Sequence, residues 1–444
     1  MALPHAIDVQ TFIDARPVSA LQWRLVAFCF LVVALDGFDV AIVGHIAPAL
    51  RAEWSLGVAA LGPLFAAGLF GLMVGALLVG PLADRYGRKT LLIVSVAGFG
   101  IGSCVSALSN DIVTLNLLRF LTGLGLGGAM PTAITLTSEF CPTQRRSSLV
   151  TIMFCGFTLG SAIGGLVAAH VVTDYGWRPL LVAGGLAPLA LVPVLWWAMP
   201  ESVRYLAGRR DGASEVAATL RRISPNADLN GAVFTGSPER QRSPVRALFA
   251  SSLRTGTLLL WLTFFMSLLV VYLLSNWMPT LIQRSGLSLR GASLITATFQ
   301  VGGTVGAIVL GWMMDRVNPH HVLGLAYMAA AGFVTVMGLA TTTPWLMTAA
   351  VFGAGFCVSG TQIGANALAA AFYPTRCRAT GVSWALGIGR GGSIAGSLVG
   401  GMMLTQGWGL GTVYGLVAIP VSIAGAAILT LGVSRRRALS SVVA

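Results

Sequence analysis

The sequence predicts an all-α membrane protein of twelve transmembrane helices in two pseudo-symmetric six-helix bundles, and three observations carry that prediction. First, only 10% of the 444 residues are charged and 55% are hydrophobic, where a soluble globular protein runs at roughly 25% charged. So few charges cannot cover a water-soluble surface. Second, a mean hydropathy of +0.81 and 55 glycines fit helices packed in lipid, where glycine is commoner than in soluble helices. At roughly 20 residues per span plus short turns, the chain holds about a dozen crossings. Third, the chain repeats itself. Gly80-Pro81-Leu82-Ala83-Asp84-Arg85 recurs as Gly311-Trp312-Met313-Met314-Asp315-Arg316 at an offset of 231, and Phe140-Cys141-Pro142-Thr143 recurs as Phe372-Tyr373-Pro374-Thr375 at 232. Two matches at nearly one offset mark a duplicated six-helix unit.

Taken in order, apolar runs bounded by charges or turn residues place helices at 22–49, 57–80, 90–109, 112–138, 147–171 and 178–199. The second six follow at 254–281, 290–313, 321–341, 344–372, 379–405 and 410–433. Gly80 and Pro81 are expected to end the second helix tightly, and Gly87 to allow a sharp turn before the third. The two bundles then occupy 22–199 and 254–433. Around them lie an N-terminal tail at 1–21, a polar linker at 200–253 and a C-terminal tail at 434–444.

A net charge of +13 could suggest a nucleic-acid partner, but the basic residues gather in short clusters between apolar runs, so none is expected. Of the 28, 22 fall in segments on the side that holds the N-terminus, four on the other side and two, Arg119 and Arg390, inside helices. By the positive-inside rule both termini are cytoplasmic. The six cysteines show neither C-x-x-C spacing nor a histidine partner, so no metal and no cofactor is expected. No removable signal peptide is legible in the first twenty residues.

Here the sequence resembles the major facilitator superfamily over essentially its whole length. G-P-L-A-D-R-Y-G-R-K from Gly80 to Lys89 matches the superfamily's signature between helices two and three, and R-F-L-T-G-L-G-L-G from Arg119 to Gly127 its helix-four signature. More narrowly, D-G-F-D at Asp36 to Asp39, S-E-F-C-P-T at Ser138 to Thr143 and the run from Tyr373 to Arg390 resemble the aromatic acid:proton symporter family. That resemblance implies import of a small aromatic carboxylate, such as 4-hydroxybenzoate or protocatechuate, across a bacterial inner membrane by a monomer in contact with lipid and protons. It also ties an arginine at the position of Arg119 to proton coupling. The second copy of the loop signature reads V-N-P-H at Val317 to His320, which argues against a symmetrical gate.

The residues themselves point the same way. An acid inside a membrane helix costs about 2.5–3.5 kcal/mol on insertion scales, and Asp36 and Asp39 lie near the bilayer centre, three residues apart and near one helical face. Two carboxylates sharing a poorly hydrated site cannot both ionise cheaply, so one should hold a proton near neutral pH. Arg390 is again near the midplane, and its repeat counterparts, Thr158 and Leu159, are not basic. That asymmetry suggests docking of a substrate carboxylate by the guanidinium fork, the alternative being a permanent ion pair with Asp36 or Asp39. Asp36, Asp39 and Arg390 should meet in one water-accessible chamber. Tyr272, Asn276, Gln300, Gln362, Asn366 and Trp384 are candidates for the polar tips and flat wall around an aromatic ring. His45 could relay protons, or simply be hydrogen-bonded. Glu139 is expected to join Arg145, Arg146 or the Asp84, Arg85 and Arg88 cluster in a lock. With Gly80, Gly87, Asp315, Arg316 and Arg378 these make up the gating set.

The reading is therefore a carrier and not an enzyme, since no nucleophile triad, metal set or phosphate loop is present. Its rivals are a proton-driven drug or metabolite exporter on the same scaffold and a membrane sensor of aromatic acids.

Overall fold

The computed structural model describes residues 6–443 except 210–211, 226, 228, 230–231, 236–244, 251–252, 341–342 and 375–376, with backbone alone at 6, 80–81, 84, 147, 235, 378–379 and 435–443. Twelve long helices dominate the described residues: α1 Ala20–Glu53, α2 Leu61–Tyr86, α3 Arg88–Ser106, α4 Ile112–Phe140, α5 Arg146–Tyr175, α6 Arg178–Ala198, α7 Arg254–Arg284, α8 Leu289–Met314, α9 Pro319–Leu339, α10 Pro344–Phe372, α11 Arg378–Thr405 and α12 Leu410–Val443. Eleven are long and apolar enough to cross a membrane. The exception is α11, whose glycines, serines and Arg390 hold its hydropathy down.

Packing repeats with the sequence. In the first half α1 packs on α5, α2 on α4 and α3 on α6, and six helices later α7 packs on α11, α8 on α10 and α9 on α12. Small residues make this closeness possible. A side chain at Gly160 would land on the Ala34 carbonyl of α1, and one at Gly396 of α11 on the Leu269 carbonyl of α7. The halves meet through α1 with α7, α2 with α11 and α5 with α8.

The two ends of the bundle differ. One, the arginine-rich end, holds the N-terminus of α1, the α2–α3 turn and the 200–253 segment. Trp23, Trp196, Trp197 and Trp312 are exposed near it, and Trp345 and Trp408 near the opposite end, the placement that amphipathic indole rings take at a membrane–water boundary. At the opposite end the halves touch closely. Phe65 of α2 stands edge-on to Trp277 of α7, with centroids 5.0 Å apart, and a side chain at Gly44 of α1 would meet the Ser275 carbonyl at 2.8 Å.

Two expectations change. Gly80 and Pro81 do not end α2, which runs through them to Tyr86. Proline removes only its own N–H, and a membrane helix tolerates that loss. The stop is Gly87, at a φ of +97° that glycine alone takes without strain. The tail and linker, moreover, fold together. Ala6–Asp8 pairs in parallel with Val233–Thr235, and Phe12 and Ile13 share a core with Val216, Leu220 and Phe234. Asp14, exposed, accepts the Thr143 amide at 2.7 Å and hydroxyl at 2.8 Å in the α4–α5 turn. Burial opposes its charge, but the bonds from Thr143 and Gln10 and the Arg146 charge outweigh that and hold its carboxyl below the usual range.

Candidate functional site

Asp36 and Asp39 are both buried in the middle of α1, and their surroundings are opposite. Three residues turn a helix about 60° short of a full revolution, and that offset separates them. Asp39 reaches α3 and α4. Ser103 donates to it at 2.7 Å, and Arg119 spans both of its carboxylate oxygens at 3.3 and 3.1 Å. Arg119 is in turn held by Ser106 at 3.0 Å and Thr122 at 3.2 Å. Both members of the pair are 2% exposed, so their charges and donors are satisfied inside the first half.

Asp36 has no such shell. Neither carboxylate oxygen has a hydrogen-bond partner, and the charges that act on it are those of Arg390 and Asp39. Arg390, half-buried in α11, makes no ion pair among the described residues. It donates to the Tyr272 hydroxyl of α7 at 3.0 Å and touches the Met130 sulfur of α4 at 4.0 Å. The alternative of a permanent ion pair with an aspartate is not formed among the described residues, and the guanidinium keeps free donor capacity.

Arg390 and Asp39 both lie close enough to act on the charge of Asp36. Asp39 and Arg119 line a small cavity with Phe65, Leu72 and Asn276, and Phe65 in turn meets Trp277 edge-on. Arg390 is not among its walls.

The remaining sequence candidates divide. Asn276 donates to Ser397 at 2.9 Å, and Gln300 to Ser275 at 3.3 Å, so both knit helices together. Trp384 stacks on Trp261 at 5.8 Å, six residues or about 9 Å along the axis from Arg390. Gln362 and Asn366 keep unpaired side-chain oxygens. His45 is buried with its Nδ1 unpaired, beside Gly165. Sequence reasoning missed Ser103, Ser106, Thr122 and Met130; the polar spacing of three in α3 and from Arg119 to Thr122 was the available signal.

Comparisons with known proteins show the family. The family model described as Major Facilitator Superfamily matches residues 29–320 and 260–442. The chain belongs to that superfamily. It is 48% identical to the gallate transporter of Pseudomonas putida, covering 99% of this chain and 98% of that one. It is 49% identical to the 4-hydroxybenzoate transporter PcaK of Pseudomonas aeruginosa, covering 96% of each. Among solved structures it superposes on the xylose transporter XylE from E. coli with a TM-score of 0.72 at 17% identity, over 92% of this chain and 95% of that one. This major facilitator is thus a multi-pass membrane transporter and not an enzyme.

At the arginine-rich end of the transporter the α2–α3 turn is clasped. Glu201 accepts the backbone N–H groups of Arg88 and Lys89, each at 2.9 Å, satisfying two orphan donors at the start of α3. Arg88 pairs with Glu139 at 3.2 Å and donates to Ser202 at 3.1 Å, and Ser202 donates to Glu139 at 2.5 Å. Glu201 and Ser202 were read only as linker. Arg85 is exposed and lies beside the Tyr86 ring, while Arg146 opens α5. The side chains of Asp84 and Arg378 lie outside the described residues, and Gly80 lies within α2. In the second copy Asp315 makes no ion pair among the described residues and Arg316 covers the Trp312 ring at 4.0 Å. Among the described residues the clasp is seen at the α2–α3 turn and not at its second copy.

Proposed function

We propose that the protein imports a hydroxylated aromatic carboxylate, such as 4-hydroxybenzoate, gallate or protocatechuate, together with a proton. The observation that carries this reading is the pairing of a buried acid, Asp36, with a guanidinium, Arg390, the first without a hydrogen-bond partner and the second without an ion-pair partner among the described residues and with spare donors. Tyr272 fixes one amino group of Arg390, which leaves the rest of the fork for a substrate carboxylate. The low-dielectric site then balances only one negative charge against Arg390 at a time. Either Asp36 is ionised and the site is empty, or the substrate occupies Arg390 and Asp36 carries a proton. Binding and protonation are coupled by this exclusion.

Asp39, tied to Arg119 and Ser103, positions α1. Residues 22–199 and 254–433 rock as two bodies about the Asp36–Arg390 level, with Phe65 and Trp277 closing the path from the outside and the Arg88–Glu139–Ser202 clasp moving with the first half. The arginine-rich end faces the cytoplasm of a bacterial inner membrane, and the protein works as a monomer.

Proteoliposomes loaded at alkaline pH and diluted into acidic buffer should accumulate labelled 4-hydroxybenzoate, and a protonophore should abolish the gradient. Accumulation only in inverted vesicles under an inward-directed proton gradient would instead identify an exporter.

A further inference from the structure

Helix α10 carries three polar side chains whose oxygens have no hydrogen-bond partner among the described residues. Ser359, Gln362 and Asn366 are spaced by three and four residues, so they form a stripe on one helical face. Ser359 is 6% and Gln362 8% exposed. The Ser359 Oγ, Gln362 Oε1 and Asn366 Oδ1 atoms are buried without a hydrogen-bond partner. Other polar groups nearby behave differently. Thr361 donates to the Cys357 carbonyl of its own helix, and Asn276 and Gln300 bond to serines. Buried polar atoms are ordinarily paired, and three unpaired oxygens in one stripe call for a group that brings hydrogen-bond donors.

Their height in the bundle identifies that group. Ser359 is fifteen residues from the start of α10 at Pro344, and Arg390 is fifteen from the end of α11 at Thr405. The two helices are consecutive, antiparallel and in contact, so both residues stand about 22 Å from the opposite end. Gln362 and Asn366 step about 4.5 and 10 Å further toward the arginine-rich end. A benzoate whose carboxylate rests on Arg390 can lay its ring along this stripe.

We propose that Ser359, Gln362 and Asn366 are the subsite that reads the ring hydroxyls of the substrate. Their oxygens accept from phenolic O–H groups at the 3, 4 and 5 positions, so the protein selects polyhydroxylated benzoates over the bare ring. A site built to accept a hydroxyl proton rejects the analogue that lacks it, because the buried acceptor is then left unpaired. The inference rests on the carboxylate docking proposed above.

The test is direct titration of the full-length protein in nanodiscs with benzoate, 4-hydroxybenzoate, protocatechuate and gallate. In the wild type Kd should fall along that series. Gln362→Met, close in volume and without the acceptor, should weaken the hydroxylated acids by about tenfold, one hydrogen bond's worth, and leave benzoate unchanged. Ser359→Ala, which cannot unfold a helix, should do the same for fewer members of the series. A uniform loss across all four acids, or an undiminished preference for hydroxyls in both variants, would overturn the subsite. If benzoate binds the wild type but Arg390→Ala binds as well, the docking reading fails. If none of the four acids binds the wild type, substrate class and subsite fall together.

Discussion

Replacing Asp36 and Asp39 separately by asparagine should give opposite phenotypes, and the structure sets the size of each. Asp39→Asn removes the only anion from a guanidinium that is 2% exposed. Breaking a buried pair by deleting one partner costs about 3–5 kcal/mol, because the remaining charge stays buried and uncompensated. Ser103, which donates to Asp39, and Ser106 and Thr122, which accept from Arg119, do not relieve that, since none carries negative charge. Asp36→Asn removes no hydrogen bond, for Asp36 makes none, and the amide is nearly isosteric. Its cost should stay within about 1 kcal/mol, the range of a substitution that breaks no contact. The measurement has two parts. Thermal denaturation of a fluorescent fusion, followed by size-exclusion chromatography, should show Asp39→Asn strongly destabilised and Asp36→Asn close to wild type. In proteoliposomes, Asp36→Asn should still exchange labelled for unlabelled substrate at equal pH, yet fail to accumulate it when a proton gradient is imposed. Gradient-driven accumulation by Asp36→Asn would falsify the assignment of the proton to this residue. Equal stability of the two variants would refute the buried-pair argument.

Arg390→Lys should weaken substrate binding about ten- to a hundredfold while the protein stays folded, because a point charge replaces a planar fork; titration in nanodiscs reads it. Gly160→Ala should cost about 1–3 kcal/mol by overpacking, since the new methyl lands on the Ala34 carbonyl, whereas Gly415→Ala meets open space and should leave the melting temperature unchanged. The Asp14 carboxyl is held below its ordinary value of 3.8, so its grip on Thr143 is fully present above that pH and is lost as pH falls through the lowered value. The protection of the Thr143 amide, the slowing of its exchange relative to the unprotected rate at the same pH, should fall only on acidification below that point, and Asp14→Ala, which removes the acceptor, should lower it at every pH.

Run length and charge placement made the twelve helices legible, because a membrane span is a local property of about twenty residues. The repeat made the two halves legible for the same reason. What escaped were contacts between distant segments. Nothing in D-G-F-D says which acid will meet Arg119, since both lie near one face and only the placement of α3 and α4 separates them. Gly80 and Pro81 resemble a terminus locally, yet α2 continues to Gly87. Glu201 and Ser202 sit in a polar segment whose composition says linker, and their task appears only when α3 is brought against them.

The pairing of Ala6–Asp8 with Val233–Thr235 sets an order of events during synthesis. The first strand leaves the ribosome some 225 residues before its mate, and at 5–20 residues per second that interval is roughly 10–45 s. Six helices must insert while the N-terminal segment waits. Its docking is thus the last step in completing the first half, and a nascent chain arrested before residue 233 should expose Phe12 and Ile13 to added protease.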